Sequence, residues 1–291
     1  MTAAGTISEV GYVSLGTRDL KASIDHAEKF LGLRVTETTA DKAYLAAQDT
    51  HHELVYVQAE QNGADHFGLL ASNSDELAAI REKVDRAGYR VLAEQPIEEY
   101  AEAGFAFVGP EGYTWHIHQA ADRYDVRAGG VGVDRFGHIN LKVNDSLAQR
   151  DFLVNIFGMK VSDQIGDDVA FFLRCNPDNH GIAVMKRPDV ALHHHAWQVQ
   201  SIADLGRLGD RLIANGSRLV WGPVRHGAGH NIAAYYLEPA GGIVEVYAEM
   251  EQIFNPDRGV KQWDPEDLRW INQWDGQIPE MLHYGLAPVA R

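Results

Sequence analysis

Cysteine is nearly absent: Cys175 is the single one in 291 residues. No intrachain disulfide can form, and a cytoplasmic setting is expected. Cys175 closes the apolar run VAFFLRC and reads as a small packed side chain rather than a reactive thiol. No apolar run approaches the roughly 18 residues that a membrane helix needs. The opening MTAAGTISEVGYV has neither the basic nor the apolar segment of a secretory signal. Positive charge is also scarce. Lys and Arg number 26 against 41 Asp and Glu, for a net charge of -15. That balance argues against nucleic acid and against anionic membranes as partners. Hydrophobic content of 45% and charged content of 23% fit a globular chain, long enough for two ordinary domains. Histidine is the residue in excess: 14 in all, seven of them between positions 131 and 250.

The chain repeats itself. KFLGLRVTET, from Lys29, matches NIFGMKVSDQ, from Asn155, at an offset of 126. SDELAAIREKVDRAGYRV, from Ser74, matches IADLGRLGDRLIANGSRL, from Ile202, at an offset of 128. FVGPEGYTWHIHQA, from Phe107, matches YLEPAGGIVEVYAE, from Tyr236, at an offset of 129. Three matches at nearly one offset define two tandem modules, 1–128 and 131–250, followed by a tail, 251–291. DVRAGGVGVD, with Gly129, Gly130 and Gly132, is the natural linker.

Each module reads as α+β. A short alternating strand (GYVSLGT; GHINLKV) precedes a helix closed by glycine, Gly32 or Gly158. Asp145 or Ser146 caps the helix of the second module, and Phe152, Leu153, Ile156 and Phe157 form its apolar stripe. Further strands follow (VAFFLRC, GIAVMKR, HAWQVQ), then a helix ending at Gly216, then IAAYYLE and GIVEVY joined by a turn at PAGG. Each module thus divides into two βαβ-type halves able to curl around a cavity. In the tail, QWDPEDLRWINQWDG predicts a helix with Asp264 as N-cap and Pro265 at its first position. Leu268, Trp270, Ile271 and Trp274 would dock it on the body, on a neighbouring subunit, or over a site.

Strand parity brings three ligand-type residues together. Side chains alternate across a strand. His138 and Asn140 share one face of FGHINLKV, and His194 shares a face with Ala196 and Gln198. Glu245 stands opposite Val244 and Val246 in GIVEVY. With Leu141, Val199 and Val246 packed on helices, His138, His194 and Glu245 all face the cavity. Two imidazoles and a carboxylate suit a divalent metal with open positions: non-haem iron(II) first, with manganese and zinc as alternatives. The residues alone equally allow hydrogen-bonded core histidines and a Glu paired with an arginine.

At these residues the chain resembles the type I extradiol (catechol meta-cleaving) dioxygenases of the vicinal oxygen chelate superfamily. Their pattern of His, Tyr, Pro-x-Gly and Glu is matched by His226, Tyr235, Glu238, Pro239, Gly241 and Glu245. Ala234 departs from it, standing where a larger apolar residue is usual. HHxAW around His194, GH at His138 and NHGIAV at His180 match the remaining positions. The resemblance covers roughly residues 1–250 and implies paired βαβββ units in each module. It implies Fe(II), or alternatively Mn(II), on His138, His194 and Glu245, with dioxygen as co-substrate and a small aromatic diol as substrate. His180 would be the acid/base group, and His226 and Tyr235 would hold the diol oxygens and steer protons. Asn140, His193 and His230 are expected beside the site, and His195 in the core. The residues do not separate a catechol from a hydroquinone, and a homo-oligomer is expected.

The first module aligns Tyr12 with His138, His66 with His194, His116 with Glu245 and His52 with His180. The carboxylate is lost, so that module is expected to be non-catalytic. Two alternatives remain: a glyoxalase-type isomerase or epimerase, and a small-molecule binding protein of the same fold.

Overall fold

The computed structural model describes residues 4–98, 100–119, 132–277 and 280–291. The expected linker lies largely outside the described residues. Two sheets carry the repeat. In the first, β1 (Ile7–Thr17), β2 (Arg34–Thr38), β3 (Lys42–Ala46), β4 (Leu54–Gln58), β5 (Gly63–Ala71), β6 (Arg90–Ala93), β7 (Gly104–Val108) and β8 (Thr114–His118) lie in the order β2-β3-β4-β1-β5-β8-β7-β6.

The second sheet holds β9 (Arg135–Val143), β10 (Lys160–Ile165), β11 (Ala170–Arg174), β12 (Ile182–Lys186), β13 (Ala191–Gln198), β14 (Leu219–Arg225), β15 (Ile232–Leu237), β16 (Ile243–Ala248) and β17 (Lys261–Trp263). Its order is β14-β15-β16-β13-β9-β12-β11-β10-β17. Read in reverse, the first sheet has the same order, strand for strand, and β17 is an addition from the tail. Helices α1 (Leu20–His26), α2 (Ser74–Ala87), α3 (Ser146–Phe157) and α4 (Ile202–Ala214) each connect the first strand of a βαβββ unit to the next three.

The local signals work as ordinary chemistry predicts. Asp145 caps α3 by accepting from Ala148 N at 2.9 Å, and Gly158 closes it at φ 69°. Phe152, Leu153, Ile156 and Phe157 are buried on its inner face. Phe157 meets Trp115 of the first module at a ring separation of 5.3 Å. Burying one such ring is worth roughly 2–3 kcal/mol, so the stripe holds the modules together as well as covering its own sheet. Ser201 and Asp204 form a reciprocal capping box at α4, whose stripe is Leu205, Leu208 and Leu212. Burial pushes the Cys175 thiol up to about 12, in keeping with a packing role.

The tail departs from expectation. A single 3-10 turn, Leu268–Trp270, stands where the helix was predicted. The Trp270 carbonyl is taken by the amides of Gly227 and Ala228, both at 3.0 Å. The Asn272 side chain accepts from Trp274 N at 3.0 Å. These bonds satisfy the backbone outside a helical ladder.

His26 and His118 are buried, and burial pushes both imidazoles down to about 4. In the unfolded chain they titrate near 6.5. Between those values the unfolded chain binds protons that the folded chain does not, so stability is full above pH 6.5 and falls toward pH 4. Each group contributes up to about 3 kcal/mol to that loss. Thermal melts over this range are expected to show it, and His26→Gln is expected to flatten the slope. A melting temperature independent of pH between 7 and 4 would contradict the assignment.

Candidate metal centre

Register brings the three ligand-type residues together. On adjacent strands, His138 of β9 pairs with Ala196 of β13, which pairs with Glu245 of β16. His194 pairs with Asn140 one step along. The Nε2 atoms of His138 and His194 lie 3.2 and 2.9 Å from Glu245 Oε2. All three residues are buried, and their candidate donor atoms lie within 4.8 Å of one another. No other group of three such side chains meets this criterion among the described residues.

The electrostatics match a cation site. Burial alone would raise the Glu245 carboxyl, but the His138 and His194 imidazoles outweigh it and hold the group well below the ordinary range. Burial lowers His194 in turn, against the pull of Glu245. The set therefore offers two imidazoles and an anionic oxygen, the donors that suit a divalent transition metal. Glu245 Oε1 accepts from Asn231 Nδ2 at 2.9 Å, which orients the carboxylate. His194 Nδ1 lies 2.8 Å from His193 Nδ1, so His193 fixes the ring that carries Nε2.

A cavity opens on this triad. Asn140, His180, His193, His226 and Tyr235 all line it with the three ligand-type residues. His180 sits edge-to-face on His138 at 4.4 Å between ring centroids. Its Nδ1 lies 3.2 Å from Asn179 Oδ1. The Asn179 amide nitrogen donates to Asp163 and Glu251, both at 2.8 Å, so its oxygen must accept. His180 Nδ1 thus carries the proton and Nε2 is the basic nitrogen. Burial, then His138, holds this imidazole well below its usual value and neutral. His226 is fixed in the same way. Its Nδ1 donates to the Ile271 carbonyl at 2.6 Å, leaving Nε2 to accept from Tyr235 OH at 2.6 Å. Burial, then Glu245, pushes the Tyr235 phenol well above its usual value.

The glycines of HGAGHN have a steric role here. A Cβ on Gly229 would come within 2.8 Å of His180 Cε1, and one on Gly227 within 2.3 Å of the Arg269 carbonyl oxygen. The loop therefore presses directly on His180 and on the tail. His230 departs from expectation. It is exposed, takes φ 57°, lies outside the cavity lining and directs Nδ1 toward Arg225 at 3.3 Å. Positive φ turns its side chain outward, and the next residue, Asn231, takes the inner position.

Sequence reasoning missed Asn231 and the lining residues Phe172, Met185 and Met281. Alternation in VAFFLRC and GIAVMKR could have placed Phe172 and Met185 on the inner face; nothing local marks Met281. Asn231→Leu removes the bond to Glu245 and is expected to weaken metal binding about 10- to 100-fold. Competition with a chelator of known affinity measures this, and unchanged affinity would remove Asn231 from the site.

In the first module a tyrosine takes the corresponding ligand position. Tyr12 pairs with Gly68, and Gly68 with His116, reproducing the register of the second module. The Tyr12 hydroxyl lies 2.8 Å from His66 Nε2 and 2.6 Å from His116 Nδ1. A Cβ at Gly68 would fall 1.8 Å from the Tyr12 ring, so glycine is what admits the tyrosine. His195 is buried on the opposite face of β13, accepting from Trp197 Nε1 at 2.9 Å.

The fold is a duplicated one, and its second module curls around a cavity with a candidate metal centre. The chain belongs to the Glyoxalase/Bleomycin resistance protein/Dioxygenase superfamily, whose profile matches residues 9–117 and 135–246. It is 24% identical over 288 residues to a metapyrocatechase from Geobacillus stearothermophilus, covering 90% of this chain and 87% of that protein. Among solved structures it is similar to a Mn(II)-bound glyoxalase from Novosphingobium aromaticivorans, at 28% identity and a TM-score of 0.87, covering 98% and 96% of the two chains. It shares its fold with a homoprotocatechuate 2,3-dioxygenase from Arthrobacter globiformis, at 21% identity and a TM-score of 0.91, covering 99% and 94%. No helix among the described residues is long and apolar enough to cross a membrane.

Proposed function

We propose that this protein is an extradiol dioxygenase: it opens the ring of a catechol-type diol beside its two hydroxyls, with both atoms of dioxygen entering the product. The observation that carries this reading is the single cavity in which His138, His194 and Glu245 meet His180 on one side and the His226–Tyr235 pair on the other. Iron(II) is the metal proposed for the triad, with manganese(II) as the alternative. When bound, the metal supplies a chelation point for the diol oxygens and an electron path from ring to dioxygen.

The chain's own residues do the proton work. Tyr235, whose hydroxyl donates to the neutral His226, accepts a hydrogen bond from a diol oxygen, and the diol proton passes through that hydroxyl to His226 Nε2. His180, neutral and held by Asn179, accepts and returns a proton on the dioxygen side. Asn140 and His193 hold the lining around them. The first module, with Tyr12 in place of a ligand, is structural.

An isomerase reading draws on the likeness to the Mn(II)-bound glyoxalase. Oxygen consumption separates the two. Iron-loaded protein given air and a panel of diols is expected to form a coloured ring-opened semialdehyde with one dioxygen consumed per diol. Metal-loaded protein that consumes no oxygen with any catechol or hydroquinone would sink the proposal. The lone Cys175 supports a cytoplasmic location, and exposed Phe254 and Trp274 support a homo-oligomer.

A further inference from the structure

The cavity wall away from the triad is apolar: Phe172, Met185, Trp221, Trp270, Ile271 and Met281. Among the described residues, no lysine or arginine lines it. The two arginines adjacent in sequence to lining residues are engaged elsewhere. Arg225, before His226, binds Glu249 at 2.6 Å and the His230 carbonyl at 2.9 Å. Arg269, before Trp270, is held by Asp267 at 2.6 Å.

Trp221 stacks on Tyr235, with 5.2 Å between ring centroids and 25° between planes, and lies 5.5 Å from the His226 ring. A flat aromatic surface thus flanks the pair that holds the diol. Resting on the dioxygenase reading, the charges balance without help: a dication is matched by Glu245 and a singly deprotonated diol. An anionic ring substituent would add a charge with no cationic partner in an apolar wall, which is costly.

We infer that the substrate is a catechol with an uncharged, apolar ring substituent, and that Trp221 is the residue that selects against an anionic one. The probes are 4-ethylcatechol and 3,4-dihydroxyphenylacetate, close in shape and different in charge. Two readouts are taken on the metal-loaded protein: anaerobic calorimetric Kd, and kcat/KM in air. The neutral probe is expected to win by about 100-fold or more in both. Trp221→Arg is expected to narrow that ratio at least tenfold, and Trp221→Phe to preserve it. Equal affinity for both probes, or preference for the carboxylate, would overturn the inference. Turnover of both probes without preference would overturn it and leave the dioxygenase reading standing. A preference in Kd with no oxygen consumption would uphold the apolar wall and overturn the reading on which the substrate assignment rests.

Discussion

Glu245→Gln is expected to cost about 3–5 kcal/mol of metal affinity, a loss of roughly 100- to several-thousand-fold, with turnover falling in step. The change is isosteric, so packing on β16 is kept while the negative charge is removed. That charge is what the site is built around. It is buried, held well below the ordinary carboxylate range by His138 and His194, and oriented by Asn231. A neutral amide in its place leaves only the two imidazoles, and its NH₂ end has no acceptor role for a cation to exploit. The metal-free variant should melt as a folded protein, which separates loss of the site from loss of the fold. Metal content after dialysis and kcat on a cleaved diol are the two readings. Wild-type metal content with a wild-type rate would remove Glu245 from the centre.

His180→Gln should act differently, keeping the metal and lowering kcat by about 100- to 10,000-fold. His180 lines the cavity and sits edge-to-face on His138, with Nδ1 turned to Asn179. Asn179, locked by Asp163 and Glu251, holds the imidazole in one tautomer. Glutamine retains hydrogen-bonding capacity but cannot cycle a proton near neutral pH. Metal stoichiometry and KM for the diol are therefore expected to stay near wild type while kcat falls. A variant that loses its metal would make His180 a support of the centre, and an unchanged kcat would remove it from the proton chemistry.

The three offsets in the sequence are legible because each marks a helix end or a turn, where glycine and proline are constrained most. They correspond to two sheets with the same strand order. Parity placed His138, His194 and Glu245 on one side because β9, β13 and β16 are adjacent and paired in register at those residues. Strands β10 and β14 were harder to see. β14 carries Gly222 and Pro223 in LVWGPVR, an interruption tolerated because it is the sheet's edge. The tail was misread because its Asp-Pro-Glu start does initiate a turn, while bonds to the loop at Gly227 and Ala228 divert the backbone. Those same contacts put Trp270 and Ile271, two residues of the expected docking face, into the cavity wall. The exchange of His230 for Asn231 is a one-residue error, set by a backbone angle that sequence spacing does not reveal.

The most direct test of the central claim is the fate of dioxygen. Iron(II)-loaded protein is mixed with a catechol under ¹⁸O₂, and the ring-opened product is trapped and weighed by mass spectrometry. Both labelled atoms in one product molecule, with cleavage beside the diol, is the predicted result. A product carrying one labelled atom, a ring opened between the hydroxyls, or a rearranged product with no label would contradict it.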